Sequence, residues 1–173
     1  MAIVRPEQPG DEGGIRAILE HAFENASEAE LVERLRSAES WVPELSIVVQ
    51  QEDQLVAFAL LSRVIAGDAQ ALALGPVAVL PDHQNGRLGT AMVRMALDRA
   101  RELGFDCAVA IGPPAFLAAC GFTPAGARGL TTEMDLPDEV FQVAELQPLG
   151  VQPGPLLWPD EWTDESSDNS STD

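Results

Sequence analysis

The sequence predicts a mixed α/β domain, because apolar runs of strand length alternate with amphipathic runs of helix length. Residues 45–50 and 55–61 are rich in β-branched and aliphatic side chains and are joined by four polar residues, which predicts an antiparallel hairpin. The apolar run 70–80 is interrupted by Gly75 and Pro76. Because proline cannot donate to a strand ladder, we expect a bulge or a local parting of strands there.

The remaining elements follow from caps and periodicity. Residues 3–6 form a short first strand, and Asp11 is the predicted N-cap of a helix. Ser27 and Glu30 have the spacing of a capping box, so a second helix follows at once. A third helix, 88–103, has a predicted apolar face of Leu88, Met92, Met95, Ala96, Ala100 and Leu103. The last elements are a strand at 106–111, a short helix at 115–120 and a final strand at 140–147.

Composition changes after residue 150. Residues 1–150 read as one domain, and residues 151–173 as a proline-containing, acidic C-terminal tail. High charge and low hydrophobicity predict that about the last ten residues are disordered. No apolar run is long enough to cross a bilayer and the N-terminus is unlike a signal peptide, so we expect a cytoplasmic protein.

The charge limits the possible partners. Ten arginines, no lysine and 28 acidic residues give a formal net charge of −18. Such a surface repels nucleic acid and anionic membranes and attracts cationic substrates, although general solubility would explain it equally. Cys107 and Cys120 lie in apolar surroundings and are predicted to be buried thiols. His21 and His83 are far apart in the sequence, and no cluster has the spacing of a metal site.

Residues 84–90 carry the clearest functional signal. Here an apolar strand passes through a glycine-bearing loop into an amphipathic helix. Such a loop directs unpaired backbone N–H groups at one point, where the helix dipole also favours negative charge. The pattern predicts a site for a phosphate or pyrophosphate.

The order of these elements resembles the GNAT superfamily of N-acetyltransferases, and within it the bacterial YhbS-type subgroup. The matching segments, 43–48, 74–81, 84–89 and 120–122, extend the resemblance from residue 1 to about 148. The resemblance implies an α+β GNAT fold, with a mostly antiparallel twisted sheet, a splayed and bulged strand pair, and flanking helices. It also implies acetyl-CoA as co-substrate, with no metal.

The family motifs map onto this chain residue by residue. Backbone amides of the loop would hold the pyrophosphate of acetyl-CoA, at Gln84, Asn85, Gly86, Arg87, Leu88, Gly89 and Thr90. The bulged strand that pairs with the pantetheine arm and polarises the thioester carbonyl matches Val77, Ala78 and Val79.

Two positions depart from the family pattern. Arg87 stands where the family has its first loop glycine, and arginine is strained by about 1 kcal/mol if that position needs a positive φ. Leu117 stands four residues before the Gly-Phe glycine, where many members place a tyrosine that protonates the leaving thiolate, and this chain has no tyrosine. Water, or Cys120, could supply that proton instead.

The predicted function is transfer of an acetyl group from acetyl-CoA to a primary amine of an unknown small molecule or protein. The acidic composition favours a cationic acceptor. The alternative is a catalytically weak or inactive CoA-binding sensor or interaction module, and a nucleotide-binding protein of another fold ranks third. Glu24, Glu28 and Glu44 are the candidate general bases, although each also fits a solvated surface position. The catalytic residues and the oligomeric state stay unassigned.

Overall fold

The computed structural model describes residues 1–84 and 87–163 and contains a seven-stranded sheet. The sheet order is β1-β2-β3-β4-β5-β8-β6, and every neighbouring pair is antiparallel except β4 and β5. The predicted mostly antiparallel, mixed sheet is therefore confirmed. Its strands are β1 (Ala2–Pro6), β2 (Ser46–Gln51), β3 (Gln54–Ala66), β4 (Ala69–Val79), β5 (Cys107–Ile111), β6 (Thr123–Pro124) and β8 (Phe141–Glu145).

Helices cover both faces of this sheet. Helices α1 (Glu12–Phe23) and α2 (Ser27–Arg36) pack on one face, where Phe58 and Leu60 of β3 are fully buried. Helices α3 (Leu88–Glu102) and α4 (Pro114–Cys120) pack on the other. The side chains of β3 alternate between these two apolar cores, as the pleat of a strand requires.

Asp11 is the N-cap residue of α1, as predicted, but its side chain makes no capping hydrogen bond, and the N-cap of α2 is Ala26 instead of Ser27. The Asp11 carboxylate accepts hydrogen bonds from the Arg5 guanidinium and from the Gln8 amide, both at 2.7 Å. The bond from Arg5 is the main reason that the pKa of Asp11 lies below its ordinary value. Ser27 is already inside α2, and its own N–H donates to Asn25 Oδ1 at 2.9 Å. The capping box at Ser27 was therefore a wrong prediction, and Asp11 holds its predicted position without a side-chain cap, because these neighbouring groups compete for the same side chains and amides.

The apolar face of α3 is rotated relative to the prediction. Met95 is 50% exposed and Leu103 is 40% exposed, so these two predictions were wrong. Val93 and Leu97 are buried instead, beside Met92, Ala96 and Ala100. Both sets have helical spacing, and contact with the sheet decides between them.

The chain continues to pair after residue 147. A small parallel sheet joins β7 (Leu130–Thr132) to β9 (Gly154–Leu156), so the strand at 140–147 is not the final one as predicted. Leu156 is buried, and Leu157 exchanges backbone hydrogen bonds of 2.8 and 3.0 Å with Ile65. Helix α5 (Asp160–Thr163) follows. The division into residues 1–150 and 151–173 stays a prediction, and the expected disorder falls on residues outside the described part.

Within the described ranges, no helix is long and apolar enough to cross a membrane. Cys107 and Cys120 are free, buried thiols, as predicted. Burial is the main reason that the pKa of Cys107 rises to about 11, and the nearby charges of Asp106 and Glu145 add to it. The folded protein therefore keeps this proton at a pH where the unfolded chain has lost it.

We expect the free energy of unfolding to fall as pH rises from about 8.5 towards 11. The folded pKa lies above the unfolded value, so the contribution of Cys107 is complete below about pH 8.5 and lost through this window, by about 3 kcal/mol. No lysine or tyrosine titrates in the same range, since the chain has neither. Urea unfolding at pH 8, 9.5 and 10.5 measures the slope, and Cys107→Ala should reduce it to the part that Cys120 contributes, because burial raises the pKa of that thiol as well. Parallel pH curves for the two proteins would contradict this prediction.

Candidate functional site

β4 carries one extra residue relative to its neighbour β3. Leu61 pairs with Leu74 and Ala59 pairs with Val77, so three steps along β4 match two along β3. Leu74 and Val77 consequently contact the same apolar core although they are an odd number of residues apart. The bulge predicted at Gly75 and Pro76 is confirmed.

Beyond this bulge, β4 and β5 separate. They pair from Ala71 opposite Cys107 to Leu74 opposite Ala110, and no further. β4 continues along β3, while β5 continues along β8 to the pair of Ile111 and Phe141. A strand that has a neighbour on one side only leaves alternate backbone N–H and C=O groups available on the other. The backbone of residues 77–79 therefore faces an open gap.

A cleft of about 750 Å³ fills this gap. Its lining comes from β4, the end of β5 and α4, from the junction of α1 with α2, and from the C-terminal segment. The lining residues are Phe23, Glu28, 74–79, Gln84, Gly89, 110–113, Phe116, Leu117, Trp158 and Trp162.

One end of the cleft meets the start of α3. The first N–H groups of a helix have no partner inside it, and among the described residues the first backbone bond of α3 runs from Ala91 N–H to the Arg87 carbonyl at 3.0 Å. Gly89 lines the cleft, and a Cβ atom there would lie 3.4 Å from Val79 Cγ2. Glycine therefore keeps the approach to the helix terminus open. Gln84 Nε2 donates to the Val79 carbonyl at 3.0 Å and ties the loop to β4.

Arg87 has a left-handed backbone, with φ 60° and ψ 12°. The position that holds glycine in the family pattern thus has a positive φ in this chain, and arginine there costs about 1–2 kcal/mol. The chain retains a side chain with a permanent positive charge beside the helix terminus. Asn85 and Gly86 lie outside the described residues.

The family model of the acetyltransferase (GNAT) family matches residues 14–123. The chain belongs to this family. The uncharacterised N-acetyltransferase YhbS of Escherichia coli is 30% identical over 146 residues, which cover 83% of this chain and 87% of YhbS. The resemblance to the YhbS-type members of the family is therefore confirmed.

Two solved GNAT structures extend this comparison. E. coli YhbS in complex with CoA has a TM-score of 0.88 at 26% identity, and the match covers 94% of this chain and 92% of YhbS. A GNAT acetyltransferase of Brucella melitensis in complex with acetyl-CoA has a TM-score of 0.78, also at 26% identity, with coverage of 94% and 98%. The GNAT fold is thus shown.

The structure brings together part of the predicted GNAT site. Val77, Ala78, Val79, Gln84 and Gly89 all line the cleft. Arg87, Leu88 and Thr90 lie at the start of α3 and do not line the cleft. A ligand there would contact their backbone N–H groups or the positive charge of Arg87. The Thr90 side chain lowers the pKa of the nearby Cys120 thiol, although burial raises it more.

The candidate general acids and bases differ in whether they line the cleft. Glu28 is half-buried and lines the cleft, whereas Glu24 and Glu44 are exposed and do not. Leu117 lines the cleft at the position of the family tyrosine. Cys120 does not line it, and burial raises the pKa of its thiol against the opposing effect of Arg94. Cys120 is therefore poorly placed to supply a proton.

Four aromatic side chains that line the cleft were not among the predicted site residues. Phe23 and Phe116 come from helices, and Trp158 and Trp162 come from the segment predicted as a tail. The sequence signal for Trp158 was the apolar run 156–158 inside a proline-containing stretch, and Trp162 lies outside that run. This signal could not show where that stretch folds back.

The two histidines do not line this cleft. His21 and His83 line a separate cavity of about 740 Å³ beside α1 and the β2–β3 hairpin, together with Asp11, Asp53 and Asp82. Among the residues that the structure describes, no group of three or more His, Cys, Asp or Glu side chains could hold a metal ion.

Proposed function

We propose that this protein transfers the acetyl group of acetyl-CoA to the nitrogen of a primary amine. The observation that carries the proposal is the cleft between the separated strands β4 and β5, which ends at the glycine-opened start of α3. The complexes of the two structural neighbours with CoA and acetyl-CoA support it.

The cofactor would bind mainly to the backbone. Amides of residues 84–90 would hold its pyrophosphate, helped by the positive end of the α3 dipole and by the charge of Arg87. The open edge of Val77, Ala78 and Val79 would pair with the pantetheine arm. An N–H of the same strand would stabilise the oxyanion that forms when the thioester carbonyl is attacked.

The chemical step needs a base and a leaving group. Glu28 would accept the proton that the amine must lose before or during its attack on the thioester carbon. The tetrahedral intermediate would then expel CoA as a thiolate, whose pKa of roughly 8.5, like that of cysteine, makes it a tolerable leaving group. Since Leu117 has no proton to give, we assign protonation of the thiolate to water.

Two measurements test this proposal. Calorimetry with acetyl-CoA measures cofactor binding, and a thiol-release assay over a panel of amines measures turnover. Binding together with turnover on at least one amine supports it. A protein without affinity for acetyl-CoA would exclude it.

A CoA-binding sensor is the second candidate function. Leu117 favours it, because many family members have a tyrosine at that position as the general acid. Calorimetric binding of acetyl-CoA without thiol release on any amine would favour the sensor over the enzyme.

We expect Leu117→Tyr to raise kcat about tenfold, because it supplies a phenolic proton next to the departing sulfur and a positioned acid is worth up to about 10²–10⁴. The gain stays below that range because a larger side chain in a tightly packed site carries strain. Leu117→Phe is the matched control, with the same ring and no hydroxyl. Equal kcat values for the two variants would show that the hydroxyl does not act as an acid.

A further inference from the structure

We propose that Trp158 and Trp162 form the acceptor wall of the cleft and, with Glu28, select a primary amine that carries one positive charge on an apolar or aromatic body. This inference rests on the proposed function and names its substrate class. Both indoles and Glu28 line the cleft, and Trp162 also packs on the core that α1 and α2 form with the sheet.

The wall is held in place from several sides. Trp158 Nε1 donates to Thr132 Oγ1 at 3.2 Å, which ties its ring to β7. The Arg34 guanidinium of α2 donates to the Glu161 carbonyl at 3.2 and 3.3 Å, which ties α5 to the helical layer. Because these anchors belong to different elements, the two indoles form a preorganised surface.

The indoles meet each other and the bulge of β4. Their centroids lie 5.2 Å apart with the ring planes tilted by 57°. A Cβ atom on Gly75 would lie 3.4 Å from Trp162 Cη2, and Gly75 has φ 147°, which side chains rarely adopt. The indole of Trp162 therefore packs directly against the backbone, next to the residues proposed to hold the thioester.

Trp162 also carries an unsatisfied donor. Its Nε1 is buried and has no hydrogen-bond partner among the described residues. Buried indole N–H groups usually find a partner, so this donor suits an acceptor atom of a ligand or a water molecule that arrives with it.

The chemistry of the wall defines the amine. Indole faces attract cations and cover apolar groups, and a carboxylate pairs with an ammonium. Among the described residues that line the cleft, Glu28 is the only acidic one, while Phe23 and Pro76 add apolar surface. A polyamine or an aminoglycoside would leave further charges without a partner. A phenylalkylamine or alkylamine matches one carboxylate and several apolar side chains.

Acceptor kinetics at saturating acetyl-CoA test the inference. We expect phenethylamine and hexylamine to have a higher kcat/KM than spermidine or kanamycin. We expect Trp158→Ala and Trp162→Ala to raise the KM for phenethylamine at least tenfold and to leave acetyl-CoA affinity unchanged. Relative to Trp162→Ala, Trp162→Phe should restore only part of the loss, because phenylalanine keeps an aromatic face but lacks the Nε1 donor. Trp41→Ala is the matched control, because Trp41 packs on Arg36 and does not line the cleft.

Fluorescence gives a readout without turnover. The chain has three tryptophans, so Trp41→Phe leaves only the two indoles of the wall as fluorophores. Phenethylamine should quench this variant in the presence of CoA, and spermidine should quench it far less. Preference for the polycations, no quenching by phenethylamine, or an unchanged KM in both alanine variants overturns the inference. An absence of acetyl-CoA binding in the wild-type protein would instead overturn the proposed function.

Discussion

Replacing Gly89 with glutamate should weaken acetyl-CoA binding by about 10³-fold. The new carboxylate enters the cleft at the helix terminus proposed to hold the pyrophosphate. Two like charges about 4 Å apart repel by ~4 kcal/mol at the effective dielectric constant of a protein surface, which corresponds to that factor. Isothermal titration of the variant with acetyl-CoA measures the loss.

The loss should not come from unfolding. A glutamate in the first turn of a helix is stabilising by about 0.3–1 kcal/mol, so the melting temperature should hold or rise slightly. Gly89→Ala adds only a methyl group, 3.4 Å from Val79 Cγ2, and separates the steric effect from the charge. Met95→Glu adds the same charge at a residue of α3 that is 50% exposed and outside the cleft. If this control loses as much affinity as the Gly89 variant, the loop is not the phosphate site.

Replacing Glu28 with glutamine should lower kcat/KM for the amine by about 10²–10⁴-fold, the usual cost of removing a general base. The amide keeps the size and polarity of the side chain but cannot accept the proton. Acetyl-CoA affinity should not change, because the proposed cofactor contacts come from residues 77–79 and 84–90. Steady-state kinetics across pH 6–10 measure the effect.

The distribution between kcat and KM identifies the role of Glu28. Loss of kcat together with loss of the acid limb of the pH profile indicates a base, whereas a raised KM alone indicates binding of the ammonium. Glu24→Gln and Glu44→Gln are matched controls, since both carboxylates are exposed and lie outside the cleft. If either control is as damaging as the Glu28 variant, Glu28 has no special role.

Local sequence signals predicted the bulge of β4 and the start of α3, which are proposed to bind the cofactor. A proline inside an apolar strand indicates a bulge wherever the strand lies, and Gly75 and Pro76 produced one. The start of α3 was likewise predicted from a glycine-bearing loop followed by helical periodicity, and the helix begins at Leu88. These features depend on neighbours within a few residues, so the sequence contains most of the information that they need.

The C-terminal segment, which is proposed to contact the amine, is positioned by contacts between residues that are distant in the sequence. The pairing of β9 with β7, and of Leu157 with Ile65, is invisible to periodicity because each partner alone is too short to show a pattern. Asp11 was predicted to cap α1, but the guanidinium of Arg5 takes its carboxylate. In each case tertiary contact decides between local options that the sequence leaves nearly equal.

The segment 154–163 holds Trp158 and Trp162, which are proposed to contact the amine. The residues that are proposed to bind acetyl-CoA lie in other parts of the sequence. The end of this segment at α5 is hydrogen-bonded to Arg34 of α2, whereas Gln84 and Gly89 line the cleft close to the start of α3. If the proposed roles are right, substitutions in the segment 154–163 change which amine is acetylated and leave the affinity for acetyl-CoA unchanged. A library confined to these ten positions is where redesign of selectivity should begin.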